Sequence, residues 1–165
     1  MLDSMAGGHR IALHVDAPFM RHVRRRPLSA LARRVLAGED VPQPGEVSIV
    51  ITDDGRVRAL NWRFRHVDAP TDVLSFGLDA GEGFPLPPGR VPLLGEIVIS
   101  YPTAARQAAE AGQSVENELA HLLVHGVLHL LDYDHETPQE ARAMRAREEA
   151  LLGFALRHPK GRAAH

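Results

Sequence analysis

The chain has 165 residues, enough for one domain with a real core and too few for two, so a single domain over 1–165 is expected. Its 44% hydrophobic and 24% charged residues and formal net charge of −2 are ordinary for a soluble protein, and no stretch approaches the roughly 18 apolar residues of a membrane span. No cysteine is present, which excludes disulfides and thiolate metal sites, leaves histidine and carboxylate as ligands, and fits a cytoplasmic location.

The charge is unevenly placed. Residues 1–65 hold eleven arginines against seven acids, and residues 66–165 hold eight basic residues against fourteen acidic ones. Eighteen of the nineteen basic residues are arginine, the side chain that grips phosphate bidentately. An arginine-biased genome produces the same count, so this supports nucleic-acid contact only weakly.

In chain order, residues 1–9 read as a disordered lead-in without an apolar core, and residues 11–15 alternate as a strand. The basic cluster Arg21, Arg24, Arg25, Arg26 precedes Leu28, Leu31, Ala32, Val35 and Leu36, which recur at helical spacing until Gly38. Residues 46–51 alternate as a second strand. Asp53-Asp54-Gly55 signals a turn, followed by a short segment over 56–60 and a short helix over 60–65. Residues 72–76 resume as strand after Pro70, and residues 77–93, rich in glycine and proline, form a long loop of the kind that is usually functional or mobile. A fourth strand spans 94–100. Pro102 to Ala111 is a helix that Gly112 stops, and Ser114 caps the next helix, whose apolar wrap makes it central. Thr137-Pro138-Gln139-Glu140 is a capping box for a final helix with Met144, Leu151 and Leu152 as core contacts, and residues 157–165 fray. The expected architecture is α+β: a small mixed four-stranded sheet with helices largely on one side. The basic first helix and the Arg56 to Arg65 region are expected to border a cleft.

The central helix carries the chemistry. Four of the ten histidines fall between 121 and 135. His125 and His129, four apart, share one helical face with Cβ atoms about 5–6 Å apart. His135 reaches the same point only if the chain bends at Asp132-Tyr133-Asp134. Three neutral imidazoles with a fourth position left open are what a catalytic zinc requires, and three histidines at this spacing among Val127, Leu128, Leu130 and Leu131 are hard to explain as accidental core residues. His121 lies one turn earlier on the same face. It either extends the site towards a phosphate or is a buried, hydrogen-bonded histidine. Asp134 either orients a ligand imidazole or fixes the turn.

The segment His125 to His135 resembles the signature H-G-x-L-H-L-x-G-Y-D-H of the YbeY family of bacterial endoribonucleases and rRNA maturation factors. Asn61, Arg65 and Pro70-Thr71-Asp72-Val73-Leu74-Ser75-Phe76 are similar to a second family element, and Leu94 to Ile97 to a third. The resemblance runs from about residue 46 to residue 152, in order. The one departure is Asp132, where the family has glycine. A glycine there suggests φ above zero, which aspartate is among the few residues to tolerate.

The resemblance implies one Zn(2+) ion held by His125, His129 and His135, and single-stranded RNA as substrate. It further implies a role in 16S rRNA 3′-end maturation and ribosome quality control, with ribosomal RNA and the small ribosomal subunit as partners. Phosphodiester hydrolysis builds negative charge on phosphate, so a guanidinium should stabilise the transition state. Spacing alone favours a salt bridge for Arg65; the family match makes it the candidate catalytic and substrate-binding residue, and His121 is a second candidate substrate contact by its place on the histidine face. Two other functions fit the metal site. A metzincin-like protease shares the histidine spacing but requires glutamate after the first histidine, where Gly126 stands. A non-catalytic ribosome assembly factor with a structural metal requires a fourth protein ligand, and the motif supplies three.

Overall fold

The computed structural model describes residues 8–39, 41, 44–77, 91–133 and 135–156. The expected tails, the loop over 77–93 and Asp134 lie outside these, apart from Gly8, His9, Gly77 and residues 91–93. His9, expected in the lead-in, is buried, with its Nδ1 accepting the Gly45 N–H at 3.2 Å.

Strands β1 (Arg10–Val15), β2 (Glu46–Thr52), β3 (Val73–Gly77) and β4 (Leu93–Ser100) form one mixed sheet in the order β1-β2-β4-β3. The first three in that order are parallel and β3 joins antiparallel at the edge. Parallel neighbours need crossovers, and the helix α1 (Arg25–Gly38) supplies the first of them. A short 3-10 helix, Ala17–His22, precedes α1. Val47, Ile49 and Ile51 of β2 and Ile97 and Ile99 of β4 point to one face and pack against α1 and α4 (Val115–Leu130). The opposite face buries Val50, Leu74 and Val98 under Val57 of α2 (Asp54–Arg65). The architecture is thus the expected α+β, with helices largely on one face and α2 on the other.

Two local readings change. Asp53 does not turn the chain back; its side chain accepts the Arg56 N–H, so the turn signal is the N-cap of one continuous helix, α2, that replaces the expected segment and short helix. Asp54 then accepts from Ser100 Oγ and from Thr103 Oγ1 at 2.6 Å, tying α2 to the start of α3 (Tyr101–Ala111). The expected caps at Ser114 and Thr137 are present, the latter as a full capping box that starts α5 (Pro138–Leu152) three residues after His135.

The helix α4 lies unusually close to the sheet. In register, Leu13, Ile49, Ile97 and Ser75 form one row across the four strands. α4 crosses this row at Gly126, whose carbonyl accepts the Ser75 hydroxyl at 3.2 Å. A Cβ at Gly126 would stand 2.9 Å from Ile97 Cγ2. Glycine is what permits the approach.

Candidate metal centre

α4 presents His121, His125 and His129 along one side, and the end of the helix turns His135 back to them. The turn is a Schellman motif: Tyr133 N–H donates to Leu128 O at 3.0 Å and Asp132 N–H to His129 O at 3.1 Å. Asp132 takes the left-handed conformation with φ of 71°. The bend is pinned from outside the helix. Tyr133 donates its hydroxyl to Glu39 at 3.2 Å, and Arg147 of α5 holds the same carboxylate at 2.6 Å. Burial and Glu39 both push the Tyr133 phenol up from its ordinary pKa, so it stays protonated and able to donate.

The result is convergence. One nitrogen from each of His125, His129 and His135 lies within 4.8 Å of the others. Ring centroids are 4.7 Å apart for His125 and His129, 5.0 Å for His129 and His135, and 5.7 Å for His125 and His135. These three imidazoles are a donor set that can hold a metal ion, and they line a cleft of about 400 Å³. Arg65, Ser75 and His121 share its walls. No α1 residue does. The expected border by the basic first helix is therefore corrected: Arg24 and Arg34 line a separate groove with Leu119 and Leu152, because α1 packs on the face of α4 turned away from the histidines.

Sequence reasoning missed Glu148. Its Oε2 lies 2.5 Å from His125 Nδ1, and its Oε1 lies 3.5 Å from His121 Nε2. Glu118 stands 3.8 Å from the other nitrogen of His121. Burial opposes charge on both partners but is outweighed by pairing. Hydrogen bonding and charge from Glu118 and Glu148 raise the His121 pKa to about 9, and those from His121 and His125 lower that of Glu148 to about 2. His121, His125 and Glu148 also lie close enough to hold an ion. The two groups share His125, and the carboxylate already bonds its Nδ1, leaving Nε2 for the cluster with His129 and His135. Glu148 is thus best read as the group that orients His125. One signal for it stood in the sequence. Glu148 falls four residues after Met144 on the face of α5 that buries Met144, where a charge requires a partner.

Arg65 reaches the cleft from the C-terminal end of α2 and donates Nη2 to Ser75 O at 3.1 Å. Its partner in that bond is a backbone carbonyl. Gly126 faces Ile97 and Ser75, so a side chain there would enter the contact between α4 and the sheet.

Residues 17–155 match the family model described as Endoribonuclease YbeY. A protein called Endoribonuclease YbeY from Roseiflexus castenholzii is 55% identical over 121 residues, 73% of this chain and 76% of that one. Another of that name, from Pelotomaculum thermopropionicum, is 50% identical over 127 residues, covering 76% and 82%. The solution structure of a Thermotoga maritima protein superposes with a TM-score of 0.54 at 23% identity, over 87% of this chain and 89% of that one, a likeness of fold.

Proposed function

The chain belongs to the YbeY endoribonuclease family, and from that premise we propose that it is a zinc-dependent, single-strand-specific endoribonuclease of the cytoplasm. Its proposed task is 16S rRNA 3′-end maturation and ribosome quality control on the small ribosomal subunit. The observation that carries this reading is the convergence of His125, His129 and His135 in a cleft that Arg65 also lines.

The donor set fits the ion. Three nitrogen ligands without thiolate or carboxylate suit zinc better than the oxygen-seeking magnesium or calcium. Zinc, when bound, supplies Lewis acidity and makes water a stronger acid. The protein does the rest. Glu148 holds the His125 ring by its Nδ1, and the Schellman turn delivers His135. Arg65 is anchored by one nitrogen to Ser75 O, so the rest of its fork meets developing charge on a phosphate without reorganising first. For His121, side-chain exposure of 12% and the two flanking glutamates favour the buried role over phosphate contact.

Gly126 argues against the protease reading, since its position faces the sheet. Among the described residues the histidine group has three members, which favours an open site over a closed structural one. The test is metal analysis coupled to cleavage of single-stranded RNA by wild type and His129→Ala. Loss of both zinc and cleavage is expected. Cleavage undiminished in a zinc-free variant would overturn the proposal.

A further inference from the structure

α2 leaves the sheet through Trp62-Arg63-Phe64-Arg65, and this end has more apolar surface than packing requires. Phe64 is 55% exposed and lies outside both buried clusters, yet its ring rests 5.1 Å from that of Phe76 on the edge strand β3. The guanidinium of Arg63 lies 5.2 Å from the Phe64 ring, and that of Arg65 lies 5.9 Å from the Phe76 ring. Isolated surface aromatics are common and need no explanation. Two touching rings, each with a guanidinium over it, are a different object, a cation–π surface whose exposed, flexible Arg63 can leave the Phe64 face for a phosphate when a base takes its place.

The arrangement is continuous with the cleft. Phe76 and Ser75 point to opposite faces of β3, and Ser75 lines the cleft beside the histidines. Arg65 spans the two, contacting Phe76 with its guanidinium and bonding Ser75 O. β3 is an edge strand, and among the described residues no further strand separates the aromatic pair from the cleft mouth. Trp62, equally exposed, is roughly 200° around the helix from Phe64 and sits beside the Arg58–Asp68 pair, so it belongs to another surface.

We propose that Phe64, backed by Phe76, is a stacking platform for one base of the RNA strand, with Arg63 and Arg65 taking the adjoining phosphates. This rests on the reading of the cleft as an RNA-cleaving site and adds to it a substrate subsite across the β3 edge. It also supplies a physical reason for preferring single strands. A base in a duplex is stacked on its neighbours and has no free face to offer an aromatic ring.

The test uses the full zinc-loaded chain and a fluorescently labelled, phosphorothioate-linked oligoribonucleotide, in single-stranded and duplex forms, with binding read by anisotropy. Phe64→Leu keeps the apolar surface and removes the π face; it is expected to weaken single-strand binding roughly 5- to 150-fold and leave duplex binding unchanged. Phe64→Trp is expected to bind as wild type does. Undiminished single-strand binding by Phe64→Leu, an equal loss for both forms, or failure of Phe64→Trp to bind would each overturn the platform. Cleavage of an ordinary single strand is measured alongside: a wild type that neither binds nor cleaves RNA overturns the parent reading too, whereas one that cleaves normally confines the failure to the platform.

Discussion

Glu148 on α5 grips His125 on α4 at 2.5 Å, so the first ring of the candidate metal cluster is held by a carboxylate from a different helix. Replacing the carboxylate with an amide of the same shape removes the charge and weakens the hold on the Nδ1–H. Glu148→Gln should lower metal affinity about 10- to 100-fold, measured by competition with a coloured chelator. An affinity equal to wild type would leave Glu148 with a purely structural role.

Arg65→Ala should slow RNA cleavage about 100- to 1,000-fold, with metal content and unfolding midpoint unchanged. The side chain is exposed and its bond to Ser75 O is at the surface, so the fold does not depend on it. Arg65→Lys should restore little, because an ammonium cannot bond Ser75 O and present a planar fork together. Unchanged cleavage in the alanine variant would remove Arg65 from the mechanism.

Gly126 is constrained by packing. An added methyl meets Ile97 Cγ2 at 2.9 Å and Ser75 Oγ at 3.2 Å. Gly126→Ala gains helix propensity, but overpacking should exceed that gain and give a net loss of about 1–3 kcal/mol, read by urea denaturation. A more stable variant would show that α4 can lift from the sheet at no cost.

Asp132 holds φ of 71°, a conformation that costs most L-residues about 1–2 kcal/mol. Asp132→Gly should therefore raise stability by about 1 kcal/mol, seen as a higher urea midpoint. Zinc content measured beside it separates fold from site: a large gain in occupancy would show that aspartate had also weakened the metal centre.

The buried network around His121 gives the metal-free protein a defined pH window. The His121 pKa is raised from 6.5 to about 9, so its contribution to stability is complete below 6.5 and lost as pH rises through 9. That of Glu148 is lowered from 4.5 to about 2, so its contribution is complete above 4.5 and lost as pH falls through 2. Both are fully present between 4.5 and 6.5. Urea midpoints of the chelator-treated chain should show a loss towards pH 9 that is blunted in His121→Asn. An identical alkaline limb in the two proteins would refute the assignment.

Much of this was legible in local sequence because local physics decides it. The Thr137 box, the Ser114 cap and the i,i+4 histidines each depend on atoms a few residues apart. Asp53 was ambiguous for the same reason, since aspartate followed by Asp-Gly serves a turn or a helix cap equally, and only packing of Val57 under the sheet selects the helix. The pairing of β1 with β2, the position of α2 on the second face and the reach of Glu148 across 23 residues depend on tertiary contacts that no spacing encodes. Asp132 stands between these cases. The positive φ expected there is present, whereas its motif of backbone hydrogen bonds depends on where the chain runs after the helix.

The bond between α5 and His125 also orders events during synthesis. The three histidines precede Glu148 in the chain, so the candidate metal cluster is synthesised before the carboxylate that aims the first of its rings. Full order of the histidine cluster thus depends on docking of a helix made after it, so a chain that ends before α5 would carry the three imidazoles with the first of them unaimed.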